Sequence, residues 1–271
     1  MIERLSSENE SAALAFLERR PDERVVISHL VLYGSAQARN SIAVAFGDDG
    51  VRGVGYFGNE ILLAGDPSTA QEFASFSNSM RRNGQRMIIG PQATVTSFWK
   101  LVAGAHKPPR LVRERQFVMR LDRSLLRRST IRVRVRTAKT SEVALVAENS
   151  AQMIVGELGY DPRTTRAEFT SGIRDMIARE RWWVGESDGR ICFFCNVGAW
   201  DRNTAQLQGV WTPPAERGRG LATASLAAIC ERLLDFSPSL SLFVNDFNEP
   251  AIALYRRVGF EYVADYKSLI F

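Results

Sequence analysis

Residues 210–224 read VWTPPAERGRGLATA: an apolar strand end, two prolines, a Gly/Arg-rich turn, then small residues that open a helix. A glycine-rich turn feeding a helix exposes backbone N–H groups at the positive end of the helix dipole, which suits an anion. The turn has neither the G-K-[ST] of a Walker loop nor the G-x-G-x-x-G of a dinucleotide fingerprint. A basic turn that merely caps a helix is the competing reading. A second segment, NEPAIALYRRVGF at 248–260, reads as a helix. Asn248 is placed as its N-cap, and Glu249 and Pro250 suit a first turn. Ala251, Leu254, Tyr255 and Val258 recur at helical spacing, so Tyr255 faces inward, and Gly259 stops the helix. Taken alone, an inward tyrosine is ordinarily a core residue.

Other reactive residue types point to less. Cys192 and Cys195 form a single C-x-x-C in a strand-like run, ICFFCNV, with no second pair to complete a zinc site. Strand alternation would send the two thiols to opposite faces, and both read as buried. His29 and His106 are too isolated for a metal centre or a Ser/His triad. Arginine is concentrated in 110–136, where Ile131, Val133 and Val135 alternate with Arg132, Arg134 and Arg136. That pattern fits a strand with one solvated face; contact with a polyanion is the alternative.

The 271 residues suffice for one large domain or two ordinary ones. With 45% apolar and 24% charged residues and a net charge of +5, the composition is that of a soluble globular protein. No apolar run reaches the roughly 18 residues of a membrane span. The polar, acidic start reads as neither signal nor transit peptide, so the expected location is the cytoplasm.

Two domains are expected, 1–127 and 128–271. The first begins with a helix in SSENESAALAFLERR and a meander of short strands in SIAVAFGDDGVRGVGYFGNEILLAGD. A helix over STAQEFASFSNSMRRNG follows, stopped by Gly84, then a strand in RMIIG and a helix opened by Pro91. The second domain reads β-α-α-β-β-β-α-β-α-β. Its first helix is TSEVALVAENSAQMIVGELG, its second is TRAEFTSGIRDMIARE, and Asp188-Gly189 turns a hairpin. The fold class is therefore α/β (α+β), a mixed, mostly antiparallel sheet flanked by helices. The two halves share an order of helix, meander, helix and strand, which leaves a diverged duplication open.

A strand, R-x-x-G-x-[GA] opening a helix, another strand, then N-x-x-A-x-x-L-Y-x-x-x-G-F resembles the GNAT superfamily of acyl-CoA-dependent N-acyltransferases. Arg217, Gly220 and Ala222 fill the first motif; Asn248, Ala251, Leu254, Tyr255, Gly259 and Phe260 fill the second. GELGYDP, DGRICFFCNVGA and QGVWTPPAERGRGLATASLAAI further resemble bacterial GNAT proteins that begin with a DUF4081-type domain. MIIGPQATVTSFWKLV is similar to that domain's G-P-x-x-x-V-x-x-x-W segment.

The resemblance implies a GNAT fold for 128–271, preceded by a smaller domain that could be a degenerate copy. It also implies a strand end at Val210, Trp211 and Thr212 that splays open to pantetheine and the thioester. Arg217 and the N–H groups of Gly218, Arg219, Gly220, Leu221, Ala222 and Thr223 would hold the CoA pyrophosphate. Asn248 would contact the pantetheine arm, and Tyr255 would sit near the sulfur. The implied reaction moves an acetyl or other short acyl group from acyl-CoA to a primary amine, without a metal. A phenol at Tyr255 could give the leaving thiolate its proton. Some ribosomal-protein acetyltransferases of the superfamily carry a base Glu where this chain has Phe243. Glu157, whose segment borders the acceptor site in the superfamily, is the candidate base here, Asp246 the second, and Gln208 could order a water.

The acceptor could be a small amine, an amino acid, or a protein lysine or N-terminus. A CoA-binding sensor with little turnover is the rival reading, with the N-terminal domain as partner surface or substrate lid. Monomer and homodimer both remain open.

Overall fold

The computed structural model describes residues 1–80, 84–165 and 168–271. The last residues of the helix expected over 68–84, at 81–83, and residues 166–167 of the one expected at 165–180 lie outside them. The strands are β1 (Ile2–Arg4), β2 (Ile42–Gly47), β3 (Gly50–Phe57), β4 (Ile61–Gly65), β5 (Met87–Pro91) and β6 (Leu111–Asp122). They continue as β7 (Arg134–Thr137), β8 (Trp182–Ser187), β9 (Arg190–Trp200), β10 (Thr204–Trp211), β11 (Ser239–Asn245) and β12 (Glu261–Ile270). The helices of the first half are α1 (Glu10–Leu17), α2 (Pro21–Tyr33), α3 (Ala36–Arg39), α4 (Ala70–Met80) and α5 (Gln92–Val102). Those of the second are α6 (Val143–Leu158), α7 (Pro162–Thr165), α8 (Phe169–Ala178), α9 (Leu221–Leu233) and α10 (Glu249–Val258).

All the strands belong to one sheet, in the order β1-β2-β3-β4-β5-β12-β6-β11-β10-β9-β8-β7. Neighbours run antiparallel except β4 with β5 and β10 with β11. The mixed, mostly antiparallel sheet flanked by helices is the expected fold class. Its centre is an exchange. The C-terminal strand β12 pairs with β5 of the first half, and β6 from the first half lies between β12 and β11. The order β2-β3-β4-α4-β5-α5-β6 is echoed by β8-β9-β10-α9-β11-α10-β12, with the parallel pair at the same place in each half.

Alternation along the strands feeds apolar layers on both sheet faces. In the second half, Phe193, Leu207 and Leu242 pack with Leu226 and Ile229 of α9 and Tyr255 and Val258 of α10. The adjacent Phe194 points the other way, to Val146, Ile173 and Ile177 of α6 and α8. In the first half, Phe57, Phe73 and Phe98 join the sheet to α4 and α5, and Leu17 and Val31 of α1 and α2 cover Ile42 and Val44. No described helix is long and apolar enough to cross a membrane.

Two departures from the sequence reading have physical causes. Cys192 and Cys195 are both buried and share one cluster rather than opposite faces. A register shift sets Ile191 opposite Glu186 and Phe193 opposite Gly185, so Cys192 is an extra, bulged residue that breaks the alternation. Helix α2 was also not anticipated. Its buried positions hold Asp22, Glu23 and Ser28 beside Val25, Ile27 and Val31, which obscures the apolar stripe. Of these, Asp22 is paired with the second half, while Glu23 pairs locally with Arg20 at 3.5 Å. Asp22 accepts from the hydroxyls of Ser239 (2.8 Å) and Thr204 (3.2 Å) and faces Arg120 at 3.2 Å.

Candidate functional site

The site begins where two strands part. β10 and β11 are paired only from Thr204↔Ser239 to Gln206↔Ser241. Beyond that, β10 follows β9 through two register shifts, with Gly209 in the left-handed region at φ +61°. A side chain there would place its Cβ 2.6 Å from Asn196 Nδ2, so glycine is required on both counts. Leu207 through Trp211 therefore diverge from Leu242 through Asn245, and a cleft of about 1100 Å³ opens between them.

One end of the cleft is built by the turn that drew attention in the sequence. Trp211 Nε1 donates to Asn149 Oδ1 at 3.2 Å, tying the strand end to α6. Arg217 Nε donates to the Thr212 carbonyl at 3.0 Å, with its guanidinium 4.7 Å above the Trp211 ring. Gly218 and Gly220 both have φ +74°. Gly220 is the N-cap of α9 and has no side chain with which to cap it; the Ala224 N–H is the donor to its carbonyl. The N–H groups of Leu221, Ala222 and Thr223 thus stand in the first turn without intrahelical acceptors, at the positive end of the dipole. Val210, Trp211, Thr212, Arg217, Gly218, Gly220, Leu221, Ala222 and Thr223 line the cleft. The Arg219 side chain turns away, to Glu216 at 2.5 Å and Asp188 at 3.7 Å.

Helix α10 supplies the opposite wall. Asn248 caps it, its Oδ1 accepting from the Ala251 N–H at 3.3 Å, and it lines the cleft with Ala251, Leu254 and Tyr255. Tyr255 is buried against Phe260, the rings 5.9 Å apart. Burial pushes its phenol well above the usual range, and the nearby Glu157 carboxylate adds to the shift. A desolvated phenolate beside a second anion is disfavoured, so the group stays protonated. Glu157 reaches the same cleft from the last turn of α6, which ends on Gly159 at φ +70°. Its carboxylate pairs with Arg113 at 3.2 Å. Asp246 is exposed and is not among the cleft-lining residues. Gln208 lines the cleft and donates to Gln206 Oε1 at 2.6 Å, and Phe243 forms part of the floor.

The remaining lining comes from residues the motifs do not reach. Gln116 of β6 donates to Asn245 Oδ1 at 3.0 Å and accepts from the Ser268 hydroxyl at 2.6 Å, joining three strands beneath the cleft. Arg113 stands beside them, and Glu60, Met87 and Ile89 of the first half complete that end. No sequence signal marked these positions, because strand exchange brings them in from distant parts of the chain. Among the described residues there is no group of three or more His, Cys, Asp or Glu that could hold a metal ion.

Comparison with known proteins agrees with this architecture. Residues 146–260 match the family model of the Acetyltransferase (GNAT) family, and residues 42–146 match a domain of unknown function, DUF4081. The chain thus carries a GNAT acetyltransferase-family domain preceded by a DUF4081 domain. A mycothiol acetyltransferase from Acidimicrobium ferrooxidans is 35% identical over 102 residues, 32% of this chain and 33% of that protein. The match spans about a third of the relative's length.

Among solved structures, a Drosophila protein superposes with a TM-score of 0.67 at 11% identity, covering 100% of this chain and 98% of that one. A GCN5-related N-acetyltransferase from Sphaerobacter thermophilus gives 0.60 at 15% identity, covering 99% and 94%. A tandem GNAT protein from the clavulanic acid biosynthesis pathway gives 0.54 at 12% identity, covering 100% and 98%. At these identities the likeness is one of fold, and it extends over both halves.

Proposed function

We propose that this protein is an N-acyltransferase that moves an acetyl or other short acyl group from acyl-CoA directly to a primary amine. The observation that carries the reading is the open wedge between β10 and β11, with an uncapped, glycine-built helix start at one end and a protonated phenol along its wall. The free N–H groups of α9 suit a pyrophosphate. The diverging strand leaves backbone groups of Val210, Trp211 and Thr212 for the pantetheine arm, and Asn248 lies on the facing wall.

Three groups meet the demands of the reaction. An amine with a pKa near 10.4 is neutral in roughly one molecule per 2,500 at pH 7, so a base or desolvation must help it. Glu157, which lines the cleft, is the base in this reading. As nitrogen attacks the thioester carbon, the carbonyl oxygen gains negative charge, which a backbone N–H at the end of β10 stabilises; such a donor is typically worth about 3–4 kcal/mol. When the C–S bond breaks, Tyr255 donates its proton to the departing thiolate and is reprotonated by the second proton that the attacking nitrogen loses as the amide forms. The same geometry would hold free CoA as product.

A calorimetric titration with acetyl-CoA, beside CoA and a longer acyl-CoA, tests the reading. Saturable binding with one site per chain is expected, with the acyl groups ranked by affinity. Absence of binding to all three would overturn it.

A further inference from the structure

The acceptor end of the cleft contains an arginine that the acyl-CoA reading does not use. Arg113 lies on β6, and its side chain is only 13% exposed. Its guanidinium pairs with Glu157 at 3.2 Å, yet its buried Nε has no hydrogen-bond partner among the described residues. A guanidinium offers five N–H donors, and leaving one buried and unpaired is costly. Its position is built by the fold. Between Gln116↔Tyr266 and Arg113↔Ser268, β6 has two residues facing the single Lys267 of β12. Without that bulge, residues 113 and 116 would point to opposite faces; with it, both line the cleft. Met87 and Ile89 of β5 form apolar wall beyond.

We propose that the acceptor is a small amine carrying its own carboxylate, as a free α-amino acid does, with Arg113 holding that carboxylate beside Glu157. The inference rests on the acyltransferase reading of the same cleft. An α-amino acid presents its ammonium and carboxylate one carbon apart, close enough for both to meet two side chains that themselves stand 3.2 Å apart. The substrate replaces one internal ion pair with two: carboxylate on guanidinium, amine on Glu157. No charge is stranded in a partly dry site. The carboxylate also provides acceptors for the unsatisfied Nε–H in a forked, planar contact. The substrate side chain then has the Met87 and Ile89 wall to occupy. At about 1100 Å³ the cleft is at the upper end of small-molecule sites. With the pantetheine arm inside, room remains for a molecule of this size.

The test measures CoA release from acetyl-CoA with free α-amino acids, each beside its α-amide, and with ω-amino acids, whose charges lie further apart. In the unaltered protein the acid should exceed its amide in kcat/KM by on the order of 100-fold, and α- should exceed ω-amino acids. Arg113→Gln should bring the acid-to-amide ratio close to one, and Arg113→Lys should restore part of it. A residue acting only through packing, or only through Glu157, would lower both substrates together and leave the ratio intact, which overturns the proposal. Equal use of acid and amide by the unaltered protein overturns it without any variant. So does acylation of no amino acid by a preparation that binds acetyl-CoA. Loss of acetyl-CoA binding itself would instead count against the acyltransferase reading.

Discussion

The two halves place a helix after a parallel-paired strand in the same way and treat its N-terminus in opposite ways. In the first half, Asp66 stands between β4 and α4. Its carboxylate accepts from the Ser68 N–H at 2.8 Å and from the Ser68 hydroxyl at 2.5 Å. Arg52 donates to the same hydroxyl at 3.1 Å and pairs with Glu72. Nearby, Thr94 of α5 donates to the Gly65 carbonyl at 2.6 Å, joining the helix to the end of β4. In the second half the equivalent helix start has Gly220 and no capping side chain, and β10 runs away from β11 into a cleft. A helix N-terminus attracts an anion either way. In the first half the chain supplies that anion itself, through Asp66; in the second it supplies none.

The largest expected effect comes from making the second half resemble the first. Gly220→Asp places a carboxylate at the α9 N-terminus, at φ +74° and with its Cβ 2.6 Å from Ile131 Cδ1. Acetyl-CoA affinity should fall by on the order of 100-fold or more, with the circular-dichroism spectrum retained. Unchanged affinity would break the comparison. A smaller effect is expected within the cleft. Tyr255→Phe should lower kcat by at least about tenfold with little change in acetyl-CoA affinity. Because burial raises the phenol's pKa, the acid form persists as pH rises, so tyrosine ionisation should not reduce kcat up to about pH 10. An equal rate in the phenylalanine variant would leave Tyr255 as packing. The smallest effect belongs to the first half. Asp66→Ala should cost about 1 kcal/mol of stability in a denaturant titration. Acetyl-CoA should still bind at one site per chain. A second site in that variant would mean that the Asp66 cap alone, rather than the closed strand and helix around it, separates the halves.

What could be read directly from the sequence was local. The turn at 217–222 opens a helix, Asn248 caps another, and Asp188-Gly189 closes a hairpin with both residues at positive φ. Each feature depends on residues within a few positions of one another. Helix α2 was hidden because polar residues interrupt its buried face, and its inward Asp22 makes sense only against Thr204, Ser239 and Arg120, far along the chain. The neighbourhood of Arg113, Gln116 and Ser268 was hidden for a related reason.

By itself, the sequence determined most of the elements, the Asn248 cap and the glycine turn, because dihedral preference, hydrophobic period and capping act over a turn or two. It also carried the glycine turn and the Asn-capped helix whose residues line the cleft. Only the tertiary structure decided which end strand each half would use. β6 lies between β11 and β12, and β12 reaches β5, through backbone hydrogen bonds that are indifferent to side-chain identity. A bulge then turned Arg113 into the cleft. Strand registry between residues more than a hundred positions apart has no local signature, and the part of the cleft around Arg113, Gln116 and Ser268 was built from such pairings.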